Sequence, residues 1–353
     1  MAPRYAADDL RRFGAGLFAA AGMPAERAAV VAQFLVEADL MGHDTHGLAH
    51  APPYLAHLAD GRMRADGDYE TVADRGANLV LDGGYLSGVW LVSEAMRLGF
   101  ARAALHGVAT VVIRRAHHIA CLAAYLPEAT SRGLMMVLAS SDPSVRAVAP
   151  HGSHQAVYTP NPIAVGIPTD AEPILIDVSS STTTMALGNR LKAAGRRFPG
   201  PWVIDNLGRA TDDPAAVATD PPGAILPLGG SELGHKGFGL GIFIEALTSA
   251  LAGYGRADQP TQWGAAVFLQ LIEPAGFGGL DAFRCEAGWL AEACRAAPAV
   301  PGGAPVRMPG DAALKRRRDA LAGGVPLHPG ILPELQPWAE RFGVALPRPL
   351  DRP

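Results

Sequence analysis

The sequence is poor in cysteine, in net charge and in uninterrupted apolar runs, and each shortage excludes something. Three cysteines in 353 residues, Cys121, Cys285 and Cys294, form no CxxC pair. That rules against a disulfide framework or a zinc knuckle and points to a reducing compartment. The net charge of −4, with both signs interspersed, gives no basic face for nucleic acid. Its densest basic run, Lys315-Arg316-Arg317-Arg318, reads as the solvated face of a helix. The longest apolar stretch, Phe238 to Tyr254, is interrupted by Glu245 and several glycines and reads as a buried helix. A charged amphipathic start replaces the apolar core of a signal peptide. The expectation is a cytoplasmic chain that needs neither membrane nor nucleic acid.

Several catalytic signatures are missing too. No Gly-x-Gly-x-x-Gly follows a strand, so a Rossmann dinucleotide site is not indicated. The glycines of 229–236 imitate a phosphate loop, but His235 separates Gly234 from Lys236 and no Ser or Thr follows to hold magnesium. There is no Gly-x-Ser-x-Gly elbow and no His-Glu-x-x-His. The pairs His43/His46, His46/His50, His117/His118 and His151/His154, with Asp44 offering oxygen, leave a metal-dependent hydrolase as the rival from another class, but no ligand set stands out and no metal is expected.

What is present is a chain long enough for two lobes around a cleft. Helical spacing marks Leu10, Phe13 and Leu17, then Val30, Val31, Phe34, Leu35 and Ala38 after Pro24. These lead to Gly42-His43-Asp44-Thr45-His46-Gly47. Beyond it His46, His50, Tyr54 and His57 fall at spacings that one helix would display together. From Ala73 the texture becomes alternating strand and helix: strands over Asn78 to Asp82, Val108 to Ile113, Leu134 to Ala139, Ile174 to Val178 and Val267 to Ile272, with helices over Leu91 to His106 and Leu122 to Arg132. The stretch Gly195 to Pro222 is read as a surface excursion and Pro298 to Pro309 as a connection. The division is 1–72 helical, 73–297 cofactor-binding with a glycine-led helix at 234–254, and 298–353 returning to the helical lobe.

His46 and His118 stand at element ends rather than on apolar stripes. Alcohol oxidation by hydride transfer needs a base for the hydroxyl proton, and an imidazole with an ordinary pKa of ~6.5 suits that task. Thr45 and the strand-end carboxylate Asp177 are candidates to fix the tautomer of His46. The glycines opening the 234–254 helix offer free backbone amides and a positive dipole end to a pyrophosphate, with Lys236 adding charge.

The segment Ala38-Asp39-Leu40-x-Gly42-His43-Asp44-Thr45-His46-Gly47 resembles the signature of the malate/L-lactate dehydrogenase type 2 family. The resemblance continues through Asn161-Pro162-Ile163-Ala164, Gly234-His235-Lys236-Gly237-Phe238-Gly239-Leu240, Glu273-Pro274-x-x-Phe277-Gly278-Gly279, Val306-Arg307-Met308-Pro309-Gly310-Asp311 and Gly324-Val325-Pro326-Leu327. It implies an α/β (α+β) fold: a helical lobe built from both termini plus a non-Rossmann cofactor lobe with a mostly antiparallel sheet. It further implies a homodimer, NAD or NADP as cofactor, and hydride transfer to or from a small 2-oxo or 2-hydroxy acid, the alternative being a cyclic imine acid of the Δ1-piperideine or pyrroline-2-carboxylate type. The implied catalytic set is His46, Thr45, Asp177 and His118, with His50 and Tyr54 toward the substrate. Cofactor contacts are implied for His118, Ser141, Asn161, Pro162, His235, Lys236, Pro309, Gly310 and Asp311.

The chain departs from that pattern in four places. His50 stands where many members carry a carboxylate-clamping arginine. Thr45 replaces serine and Pro160 replaces threonine. His117-His118-Ile119-Ala120 replaces Asn-His-Phe-Gly. An atypical substrate is the expectation these changes raise.

Overall fold

The computed structural model describes residues 3–350. In chain order its main elements are α1 (Ala7–Ala20), α2 (Ala25–Met41), α3 (Ala51–Ala59), β1 (Glu70–Arg75), β2 (Asn78–Asp82), α4 (Gly88–His106), β3 (Val108–Ala116), α5 (Leu126–Thr130), β4 (Met135–Ser141), β5 (Pro162–Ile167), β6 (Ile174–Ser179), α6 (Met185–Ala193), α7 (Gly230–Glu245), β7 (Ala265–Ile272), α8 (Leu280–Ala296), α9 (Asp311–Gly323) and α10 (Ile331–Phe342). The seven strands form one sheet in the order β1-β2-β3-β7-β4-β5-β6. Every neighbouring pair is antiparallel except β2 with β3, the two strands joined through α4. The expected mixed α/β fold with a mostly antiparallel, non-Rossmann sheet is what forms.

The central strand β7 explains why its sequence is an almost unbroken apolar run. Val267, Leu269 and Leu271 join the large core shared with the terminal helices and α4, while Phe268 packs with Val112, Ala139 and Ile244 on the other face. Both faces are covered, so alternation disappears. Each fully buried large apolar side chain contributes roughly 1.5–3 kcal/mol.

The large core also holds Leu10, Phe13, Leu17, Leu35 and Leu40 from the N-terminal helices with Ala320, Val325, Ile331, Leu335 and Ala339 from the tail. Residues of the tail thus pack in one core with the N-terminal helices. Arg4–Tyr5 and Val325–Pro326 pair as a two-residue ladder, closing the termini on each other. The basic run lies on α9 as read, but it is not simply solvated. Arg317 pairs with Glu37 of α2, Arg318 with Glu172, and Lys315 with Asp319 at 2.6 Å.

Two elements differ from expectation. The segment around Gly195 to Pro222 carries a small three-stranded sheet (Val203–Ile204, Ala210–Thr211, Ala224–Ile225) over its own cluster of Tyr158, Phe198, Val203 and Ile225. The long apolar helix begins at Gly230 and passes after Glu245 into a π turn over Ala246–Ala250. Glu245 is the reason a charge sits there. Arg256 binds its carboxylate at 2.8 Å and reaches the carbonyls of Val145 (2.6 Å) and Asp142 (2.8 Å), tying the helix end to the strand ends.

Candidate active site

Three element ends bring the site together. Helix α2 stops at Gly42, which takes φ +83° and lets the chain reverse into the signature loop. That loop runs through Leu48–His50, a single 3-10 turn, into α3. Strand β3 ends at Ala116, so His117 and His118 follow directly. Two glycines permit the approach. A Cβ on Gly47 would collide with the Asp39 carboxylate, whose other oxygen accepts from the Leu48 amide at 2.9 Å. A Cβ on Gly88 would strike the carbonyl of His117, so the start of α4 can lie against the site only as glycine.

The rings of His46 and His50 lie 5.2 Å apart, His50 and His118 4.5 Å, and His46 and His118 6.1 Å. Not one helix but a loop, a 3-10 turn and a strand end supply them. Trp263, just before β7, stacks on His118 at 4.8 Å and 25°. Thr45 Oγ1 is 2.9 Å from His46 Nδ1. The Tyr54 hydroxyl is 2.7 Å from His118 Nδ1 and 3.3 Å from the His118 carbonyl.

The histidines are held neutral. Burial first, then the neighbouring His43 and Arg190, lower His46 to about 4, with Asp44 opposing. Burial and His46 lower His50 to about 3. His118 is pushed well below its ordinary value by burial and by His50, His46 and His117. Several neighbouring imidazoles cannot charge together, so each rests neutral with a lone pair, and burial opposes the charged form that a transferred proton would create. Asp39, beneath the loop, is raised to about 8 by desolvation, partly offset by the Leu48 amide, and is predominantly a neutral acid at pH 7.

Several expected roles change when the partners are seen. Asp177 does not orient His46. It accepts from the Ala123 amide at 3.1 Å and lies beside Cys121 Sγ at 3.9 Å, and its electrostatic partner is His43. The cause is register, because β6 brings Asp177 up under the loop at His43 rather than at His46. Its carboxylate keeps a solvent-exposed edge in the single chain, but surrounding atoms strip enough water to raise its pKa. Tyr54 is fully buried, so it touches His118 and not a ligand. Asn161 is also fully buried, at φ +44°, with its amide spent on the Gly241 carbonyl and Glu245, each at 3.1 Å. The Ser141 hydroxyl is bound to Thr248 (2.9 Å) and Ser249 (3.1 Å). Asp311 is taken by Arg295 at 2.8 Å, Gly310 packs on Leu175, and Pro309 accepts from the Leu175 amide. These residues brace the walls. Pro162 opens β5.

His235 and Lys236 stand exposed near the start of α7, whose N-cap, Gly229 at φ +98°, offers no side chain to the first-turn amides. The Gly230 and Leu233 amides are bound to the Pro227 and Gly229 carbonyls, which leaves those of Ser231 and Glu232; with the nearby cation they fit a phosphate of a dinucleotide. The chain therefore has donors of the right chemistry for a nicotinamide cofactor.

Two features escaped the sequence. Trp263 is one, since nothing local marks a tryptophan before an apolar strand as a site wall. The other is a buried pair, His57 Nδ1 to His117 Nε2 at 3.0 Å, which places His117 behind the site; burial lowers its pKa to about 3. The departure from asparagine at position 117 was its only signal.

Comparison with known proteins gives the family and the fold. The family model described as malate/L-lactate dehydrogenase matches residues 5–336. An L-lactate dehydrogenase of Cupriavidus necator is 30% identical over 345 residues, covering 96% of this chain and 97% of that one. A Δ1-pyrroline-2-carboxylate/Δ1-piperideine-2-carboxylate reductase of Pseudomonas syringae is 32% identical, with 94% of each chain covered. The crystal structure of malate dehydrogenase from Entamoeba histolytica superposes with a TM-score of 0.92 at 22% identity, covering 99% of this chain and 100% of that one, and so shares the fold.

Proposed function

Since the chain belongs to the malate/L-lactate dehydrogenase family and is an oxidoreductase, we propose that it moves a hydride between NAD or NADP and a small 2-hydroxy or 2-oxo acid, with His46 or His118 carrying the proton. When bound, the nicotinamide supplies or takes up the hydride. Lys236, His235 and the opening amides of α7 would hold its phosphates, with Asn161, Pro162, Ser141 and the Pro309-Gly310-Asp311 turn shaping the surrounding wall.

The observation that carries the reading is the meeting of His46 and His118, rings 6.1 Å apart, each with its Nδ1 facing a hydroxyl. With Nδ1 engaged, Nε2 is the nitrogen each ring has left: a lone pair on His46 when its Nδ1–H donates to Thr45 Oγ1, and an N–H on His118 while its Nδ1 accepts from the Ala120 amide. Neutral His46 then takes the hydroxyl proton as the carbon gives up its hydride, and His118 gives a proton to the oxo oxygen in the reverse direction. Burial disfavours the resulting imidazolium, which hastens its discharge to water.

A second reading, reduction of a cyclic imine acid, is favoured by His50. Neutral imidazoles at His46, His50 and His118 tolerate a cationic iminium that an arginine in place of His50 would repel. Cytoplasmic location and a homodimer complete the proposal. No described helix is long and apolar enough to cross a membrane.

The test is direct. Purified protein is titrated with NADH and NADPH by fluorescence, then assayed on 2-hydroxy acids, 2-oxo acids and cyclic imine acids. Binding of one cofactor and turnover on one class is expected; neither binding nor turnover overturns the proposal.

A further inference from the structure

We propose that His46, His50 and His118 together form a binding site for a divalent transition-metal cation of the Zn2+ class. One ring nitrogen from each lies within 4.8 Å of the other two. A tetrahedral zinc site holds its nitrogens ~2.0–2.1 Å from the ion, or roughly 3.4 Å from each other. Small side-chain rotations close that difference.

Metal-binding imidazoles commonly engage their second nitrogen in a hydrogen bond that fixes ring and tautomer. Two of the three already do. Thr45 Oγ1 sits at His46 Nδ1, and the Tyr54 oxygen sits at His118 Nδ1 with the Tyr54 proton directed to the His118 carbonyl. The nitrogen left free on each is Nε2. The third ligand supplies an independent sign, because His50 Nε2 is buried with no hydrogen-bond partner. His117 Nδ1, behind the site, is likewise unpartnered, but His50 Nε2 belongs to the three-ring group itself, where a cation would take up its lone pair.

The Ala120 amide, 3.3 Å from His118 Nδ1, favours the opposite tautomer in the metal-free chain. Cation binding exchanges that contact for the Nδ1–H to Tyr54 bond. Three neutral imidazoles suit Zn2+, Co2+, Ni2+ and Cu2+ and not the oxygen-seeking Mg2+ or Ca2+. Three protein ligands leave a fourth position open toward the cleft. A neighbouring set, His43, Cys121 and Asp177, is geometrically similar, but burial holds its thiol protonated and its carboxylate is already bound to Ala123. The three histidines are the better site.

Resting on the reading under Proposed function, a cation here occupies the ring nitrogens that His46 and His118 need for proton transfer, so loading suppresses turnover. Binding is read separately from turnover. Chelator-treated full-length protein is titrated with Zn2+ by calorimetry and with Co2+ by visible absorption. We expect one equivalent per chain, loss of binding by at least tenfold in both His50→Ala and His46→Ala, and weakening by about 10–100-fold in Tyr54→Phe. His43→Ala should bind as the parent does. No uptake by the parent chain, unchanged affinity in both His50→Ala and His46→Ala, or loss in His43→Ala overturns the site. Uptake without any nicotinamide binding would instead sink the dehydrogenase reading and leave the cation site standing.

Discussion

Tyr54 and His118 are joined at 2.7 Å from a position no ligand can reach, because Tyr54 is fully buried beneath the ring it holds. Tyr54 is thus a positioning residue. Removing its oxygen leaves His118 free to turn and deprives Nδ1 of its strongest partner, an interaction worth about 0.5–1.5 kcal/mol. Tyr54→Phe should lower kcat by up to about tenfold with KM nearly unchanged, and should move the pH profile of kcat. An unaltered profile, whatever the rate, would reduce Tyr54 to packing.

The two candidate bases separate by deletion. His118→Ala and His46→Ala should each reduce turnover by about 10²-fold or more if each takes part in proton transfer. A large loss in one and a small loss in the other assigns the base to the first. Parent-like rates in both would remove imidazole from the mechanism.

Much of this arrangement was legible beforehand and some was not. The signature loop and the end of β3 stood out because polar residues there interrupt strong apolar patterns, so His46 and His118 could be named. Strand β1 did not, since it is an exposed, charged edge with no alternation to read. Helix α8 escaped for a related reason: it buries little beyond Ala291 and leaves Trp289 and Leu290 exposed. The partner of Asp177 depended on which residue β6 carries beneath the loop, and sequence spacing does not contain that register. The inward turn of Asn161, Ser141 and Asp311 is likewise a tertiary fact, because a polar residue looks the same on paper whether it faces a ligand or Glu245.

The neutral histidines make stability depend on pH. His46, His50, His117 and His118 have folded pKa values below 6.5, so unfolding at mildly acid pH takes up protons. Their contribution is present above pH ~6.5 and is lost as pH falls toward their folded values of about 4 and 3. Asp39 works the other way: raised to about 8, it favours the fold below its unfolded value and loses that contribution as pH rises toward 8. His57 shifts with the other histidines, while the desolvated carboxyls of Glu128, Asp142 and Asp177 shift with Asp39; the histidines of the unfolded chain titrate across about pH 5–7, so unfolding there takes up protons on balance. Urea midpoints should therefore fall between pH 7 and pH 5. His117→Asn should make the fall shallower, and a flat profile in the parent would mean the histidines are charged in the fold.

Gly47 tests the support under the loop. Any side chain there meets the Asp39 carboxylate, which cannot retreat without abandoning the Leu48 amide. Gly47→Ala should cost roughly 1–3 kcal/mol through overpacking, read as a lower urea midpoint at unchanged slope. Gly239→Ala, on helix α7 where an added Cβ meets nothing within 4 Å, is the control and should hold or raise the midpoint, since alanine favours a helix over glycine. Equal midpoints for the two variants would show that the loop yields freely and that Asp39 does not brace it.

His50 decides what the pocket prefers. Its ring stacks on Tyr54 at 5.6 Å and 12° and stays neutral, so it offers a substrate carboxylate no full charge. His50→Arg puts a guanidinium with two parallel donors beside His46 and His118. A charge-assisted contact of this kind is worth about 1.5–3 kcal/mol, so KM for acyclic 2-oxo acids should drop about 10–100-fold. The same charge repels an iminium, so activity on cyclic imine acids should fall in the same variant. The two substrate classes must therefore move in opposite directions. If both improve or both decline together, the neutrality of His50 is not what sets substrate choice, and the Trp263 ring stacked on His118 becomes the place to look.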